Sequence, residues 1–123
     1  MTTNHVNWFE IAVSDLSRAK SFYEAVFGNA LNEMPMGPLT MAMFPWIPGG
    51  TNASGALVKG DNYVPSMTGN KIYFSCDDVN NELALVTKNG GQIIVPKMSL
   101  GEFGNMALFA DTEGNLIGLH SMK

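Results

Sequence analysis

The chain has 123 residues, of which 46% are hydrophobic and 15% charged. That excludes a disordered chain and fits one core of ordinary domain size. Seven Lys and Arg, with Arg18 the single arginine, stand against eleven Asp and Glu for a net charge of −4. Nucleic acid is therefore not the expected partner, because phosphate contacts need clustered basic side chains. No apolar run nears the roughly 18–20 residues of a membrane span. The start, MTTNHVNW, has no basic stretch leading into an apolar one, and a cytoplasmic protein is expected. Cys76 is the only cysteine, so no intramolecular disulfide forms. Two histidines and one cysteine give no zinc framework.

The first strand is expected over Asn7–Val13. A helix follows, with Leu16, Ala19, Phe22, Tyr23 and Val26 on one stripe. Ser14 or Asp15 suits its N-cap, and Gly28 suits a left-handed residue just past its end. Three strands come next, over Ala30–Met34, Leu39–Phe44 and Ala53–Lys59. The stretches Pro45–Asn52 and Gly60–Gly69 read as loops. The order then repeats: a strand at Lys71–Cys76, a helix capped by Asp77 or Asp78 with Val79, Leu83 and Val86 on its stripe, and an end at Gly90-Gly91. The last strands are Gln92–Pro96, Asn105–Ala110 and Leu116–Ser121.

The repeat has a measurable offset. Asp15 to Gly28 matches Asp78 to Gly91 at 63 residues, and Asn52…Gly55 matches Asn115…Gly118 at 63. Met41–Phe44 matches Met106–Phe109 at 65. The chain reads as one domain over 1–123 with an internal repeat, 5–60 and 69–122. Each copy is βαβββ, an α+β fold. One helix covers one sheet face, so the other face needs a partner, and two such modules can enclose an open cleft for a ligand.

The runs Trp8-Phe9-Glu10-Ile11-Ala12-Val13-Ser14-Asp15-Leu16 and Phe22-Tyr23-Glu24-Ala25-Val26-Phe27-Gly28 carry a family resemblance. So do Tyr73-Phe74-Ser75-Cys76-Asp77-Asp78-Val79 and the closing Phe109-Ala110-Asp111-Thr112-Glu113-Gly114-Asn115. Over essentially its whole length the chain resembles the vicinal oxygen chelate superfamily, which includes glyoxalase I, extradiol dioxygenases and bleomycin-resistance proteins. The resemblance implies paired βαβββ modules and a homodimer. In metal-dependent members it also implies four ligands, one from the first and one from the last strand of each module. Counted from Asp15 and Asp111 and carried through the repeat, those positions are Trp8, Gly55, Lys71 and Gly118. An indole, an ammonium group and two glycines offer no lone pair to a metal, so neither metal nor other cofactor is expected.

Strand alternation then gives the expected cleft lining: Trp8, Glu10, Leu57, Lys59, Lys71, Tyr73 and His120. Glu10, between Phe9 and Ile11, serves a ligand or pairs with Lys71 or His120. His120 is a proton carrier or a solvated residue near the chain end. Lys71 contacts a ligand or is simply solvated. Trp8 fills core or stacks a ligand. Trp46, in the Pro-Trp-Ile-Pro-Gly-Gly loop, belongs to a lid or to a dimer contact. Cys76 is expected as a thiol packed under the helix, and His5 on the surface. Two functions follow. One is a metal-free binding module that sequesters a planar or cationic small molecule, with Trp8, Trp46, Tyr63 and Tyr73 as stacking surfaces. The other is a glyoxalase-related lyase, isomerase or dioxygenase with Glu10 and His120 as its acid–base pair.

Overall fold

A computed structural model describes residues 4–50 and 52–123. Residues 1–3, part of the segment read for a leader, and Thr51 of the Pro45–Asn52 loop lie outside the described residues. Strand β1 spans Trp8–Ala12, helix α1 Leu16–Phe27, and strands β2, β3 and β4 span Asn32–Met36, Leu39–Met43 and Ser54–Lys59. The second half has β5 at Tyr73–Ser75, α2 at Val79–Lys88, and β6, β7 and β8 at Gln92–Ser99, Asn105–Ala110 and Leu116–Ser121. A 3-10 turn at Gly101–Phe103 precedes β7. The first sheet has the order β1-β4-β3-β2 and the second the order β5-β8-β7-β6. Among the described residues, no helix is long and apolar enough to cross a membrane.

The helix signals act as their chemistry requires. The Asp15 carboxylate accepts from the Arg18 amide at 3.1 Å, and Gly28 closes α1 at φ 74°. Asp78, rather than Asp77, caps α2 by accepting from the Asn80 amide at 3.0 Å. That hydrogen bond and Lys97 at 3.1 Å hold the Asp78 carboxyl below its ordinary range. Two strands run further than expected, each through a proline. Pro35 lies in β2, an edge strand, where its missing N–H faces no neighbour. Pro96 falls within the irregular β6 pairing, inside the register shift between Val95 and Met98.

Both helices and the helix-facing sides of both sheets share one core. It joins Ile11 and Leu57 from the first sheet to Ala107, Phe109, Ile117 and Leu119 from the second, around the buried stripes of α1 and α2. The other face of each sheet is thereby turned outward.

The turn 111–115 locks the halves together. Tyr23 of α1 donates to Asp111 at 2.7 Å in a buried site. Burial first, and the Asp111 charge second, raise the Tyr23 hydroxyl well above its ordinary pKa. Asn115 donates to the Ala12 carbonyl at 2.8 Å and to Asp111 at 3.0 Å. Glu113 accepts from the Ser14 and Asp15 amides at 2.9 and 2.8 Å and takes a forked contact from Arg18 at 2.7 and 3.0 Å. The Glu113 side chain is fully enclosed. Burial works to raise its pKa, but Arg18 and the two amides outweigh it and hold the carboxyl at about 2.

A carboxyl titrating lower in the folded than in the unfolded chain stabilises above its ordinary pKa and loses that contribution as pH falls through the folded value. Glu113→Gln is therefore expected to cost about 2–3 kcal/mol at pH 7. Its stability, measured by urea unfolding, should fall less steeply between pH 4.5 and 2 than that of the parent. Equal stability of the two proteins at pH 7 would contradict this account of the turn.

Candidate functional site

On the outward face of the first sheet, β1 presents Trp8 and Glu10. Ladder partners share a face, so Ser54, Ala56 and Val58 of β4, Met41 and Met43 of β3, and Met34 of β2 lie beside them. Met41, Ala56 and Val58 form a second apolar cluster there, packed by Met34, Leu39, Met43 and Tyr63. Trp8 is 40% exposed. Its indole donates to Glu10 Oε2 at 3.2 Å, and the Tyr63 hydroxyl donates to Glu10 Oε1 at 3.1 Å. Glu10 pairs with neither Lys71 nor His120. The result is an exposed carboxylate held between two aromatic rings over a floor rich in methionine. Such a surface stacks planar groups, attracts cations and adapts its shape. The hydrogen bond to Glu10 is the first cause, and burial the second, that raise the Tyr63 hydroxyl above its ordinary pKa.

The outward face of the second sheet carries Tyr73 and Ser75 of β5, Gly118 and His120 of β8, and Met106 and Leu108 of β7. His120 is a strand residue paired on both sides, not a frayed end, and its Nε2 lies 2.6 Å from the Phe103 carbonyl.

Register corrects part of the expected lining. Glu10 pairs with Ala56, and Tyr73, which lies 63 residues after Glu10, pairs with Gly118. The counterpart of Gly118 is thus Ala56, not Gly55, and a slip of one residue reverses facing along a strand. Leu57 is accordingly fully buried in the shared core and cannot touch a ligand on the outer face. Lys59, at the exposed end of β4, has the same parity as Leu57 and leaves the lining with it. Both glycines seat an aromatic ring, which is why their surroundings look alike in sequence. A Cβ at Gly118 would overlap the Tyr73 ring on the outer face, and one at Gly55 would overlap the Phe9 ring on the core face.

The expected common cleft is divided within one chain. Trp8 and Glu10 sit on one outward face, Tyr73 and His120 on the other, with the core between them. An open groove of about 560 Å³ does lie between the halves, but of the expected lining it holds only Lys71 and Tyr73. Trp46 is 66% exposed, beside Ile47 at 75%, and borders a small depression formed by its own loop. Cys76 is half-buried against the core, as expected of a packed thiol.

The positions where metal-dependent relatives carry ligands now read Trp8, Ala56, Lys71 and Gly118. The Trp8 N–H is spent on Glu10, Ala56 offers a methyl group, and the Tyr73 ring covers Gly118. These side chains do not fit a divalent metal. Among the described residues, no three His, Cys, Asp or Glu side chains stand together as a metal site.

The model for the bleomycin resistance protein-like N-terminal family matches residues 6–45. A glyoxylase-like domain-containing protein from Didymella fabae is 30% identical over 113 residues, covering 89% of this chain and 88% of that one. The putative glyoxylase CFP32 of Mycobacterium tuberculosis is 26% identical, covering 92% of this chain but 44% of its own length. The chain thus spans about half the length of that curated relative. Among solved structures, TnmS3, an antibiotic binding protein from Streptomyces sp. CB03234, superposes with a TM-score of 0.73 at 29% identity over 98% of both chains. The fold and these likenesses define a glyoxalase/bleomycin-resistance type of protein. The chain belongs to that family, within the vicinal oxygen chelate superfamily.

The Glu10 contacts are open to direct measurement. In Glu10→Gln the Tyr63 hydroxyl should titrate lower, back toward the ordinary tyrosine range, when followed by NMR of ring-labelled tyrosine. An unchanged Tyr63 titration would mean that the carboxylate is not its partner in solution.

Proposed function

We propose that the protein is a metal-free small-molecule-binding protein that sequesters a planar, cationic compound. The observation that carries this reading is the Trp8–Glu10–Tyr63 constellation on the outward face of the first sheet. An indole face and a phenol stack a flat ring, and the carboxylate between them meets its positive charge. The methionine floor adapts to the ring's outline without setting a strict shape. That TnmS3, which resembles this chain along its length, is an antibiotic binding protein supports small-molecule binding.

A homodimer completes the site. One chain turns its two sheet faces away from each other, so a ligand on the Trp8 face stays half-exposed. The Tyr73–His120 face of a second copy would cover it, with the exposed Trp46–Ile47 loop near the seam. The alternative, acid–base catalysis by Glu10 and His120, needs both residues in one cleft; a single chain keeps them on separate sheets, so it too would require the second copy.

Titration of chelator-treated protein with flat aromatic cations, ethidium among them, should quench Trp8 fluorescence saturably. Glu10→Gln should weaken such a cation by about tenfold and leave an uncharged ring of the same shape nearly unaffected. Equal weakening of both, or binding that requires added divalent metal, would overturn the reading. Sedimentation equilibrium should give about twice the chain mass of 13.3 kDa, and a mass of one chain at micromolar concentration would remove the covering partner.

A further inference from the structure

The groove between the halves is a different place from the Trp8 face. Four phenyl rings converge there from distant parts of the chain: Phe9 of β1, Phe27 at the end of α1, Phe44 after β3, and Phe74 of β5. Phe74 is the hub, stacked on Phe27 with ring centroids 4.4 Å apart, edge-on to Phe9 at 5.8 Å and tilted against Phe44 at 5.6 Å. Each of the four is only partly buried, so the groove wall is a patch of phenyl surface left open to water. Its volume of about 560 Å³ suits a small organic molecule.

One anionic side chain, Glu82 of α2, also reaches this wall. Its Oε1 is shut off from water and accepts no hydrogen bond. The neighbouring Cys76 thiol lies 3.7 Å from the Phe74 carbonyl, to which it donates. Burial first, then the Glu82 charge and a hydrogen bond to the Glu82 carboxylate, push that thiol up to about 12, so it stands in the wall as a neutral, polarisable group. Lys71 lines the groove too, and Asp77, which pairs with Lys123 at 3.9 Å, adds a second acid among the walls. A partly buried carboxylate with one oxygen lacking a donor, set against open aromatic faces, favours a cationic aromatic visitor.

We propose that this groove is a second binding site, separate from the Trp8–Glu10–Tyr63 face, and that it takes a small protonated aromatic amine. The ring lies against the Phe74 cluster and the ammonium group donates to Glu82. The ammonium supplies the donor that Oε1 lacks, and the phenyl surface removed from water adds affinity without strict shape demands.

The test is an amide NMR titration of isotope-labelled full-length protein with 2-phenylethylammonium chloride and, separately, with its uncharged analogue 2-phenylethanol. Shifts should concentrate at Phe27, Phe74, Cys76 and Glu82, and the ammonium should bind about tenfold or more tightly than the alcohol. Glu82→Gln should abolish that preference while changing the alcohol's affinity less than about twofold, and Glu10→Gln should leave both affinities unchanged. Shifts centred on Trp8, Glu10 and Tyr63, a charge preference that survives Glu82→Gln, or no saturable shift at all would each overturn the proposal. If Glu82→Gln fails to fold, the map and the charge preference in the parent protein decide the matter alone. Loss of cation binding on the Trp8 face would leave this groove untouched, so the two readings fail separately.

Discussion

The carboxylate of Asp111 and its two companions in one five-residue turn set the geometry on which everything else depends. Asp111 takes a buried hydrogen bond from Tyr23, Asn115 reaches the Ala12 carbonyl, and Glu113 gathers Ser14, Asp15 and Arg18. All three contacts run from the second half of the chain to the first, across about 90 to 100 residues of sequence. Removing the Asp111 or Glu113 carboxylate would leave the Tyr23 hydroxyl, or the Ser14 and Asp15 amides, without an acceptor, and that penalty is a substantial fraction of a typical net stability. The turn thereby fixes where α1 enters and how β1 lies against the second sheet.

That tie has a consequence for function. It draws the helix-facing sides of the two sheets toward each other, and the apolar stripes of α1 and α2 fill the space between them. The opposite faces are left looking outward, each with its own aromatic and polar residues. A single chain consequently offers two shallow surfaces, each lacking a cover, along with a groove where the edge strands β1 and β5 approach. Shallow faces of this kind bind weakly until something excludes water from them, because an exposed charge contact is screened and an exposed ring keeps much of its hydration. In the proposed dimer the second copy would raise affinity through that exclusion more than through any contact of its own.

Much of the fold was legible in the sequence because it is written in local chemistry. Asp15, Gly28 and Asp78 act where cap residues must, and the Asp-Thr-Glu-Gly-Asn stretch bends back at Gly114, φ 89°, as a turn with that residue should. The site was less legible, for reasons of register. Gly55 and Gly118 look equivalent because each follows an asparagine by three residues and each receives an aromatic ring. They receive it on opposite faces, and that single-residue difference moved Leu57 and Lys59 out of the lining and brought Ala56 and Val58 in. Tyr63 was recognisable as an aromatic in a loop, but nothing periodic in 60–69 ties it to Glu10. The meeting of Phe9, Phe27, Phe44 and Phe74 has no sequence signal either, since each ring reads as ordinary core on its own element.

The chemistry at the positions that correspond to ligands in metal-dependent relatives follows one pattern. Where metal-dependent relatives place a lone pair, this chain places an indole whose N–H is committed to Glu10, a methyl group, an ammonium group and a glycine hidden beneath a tyrosine ring. Each replacement exchanges a directional donor for surface that is apolar or positively charged. A metal site demands several ligands held to fractions of an ångström, whereas stacking and ion pairing tolerate displacement of the ligand along the surface. On the proposed reading such a face lacks the means to polarise a substrate through a metal and has breadth in what it can hold. On the same proposed reading, with Glu10 as its central anion, that breadth is directed toward flat molecules carrying positive charge.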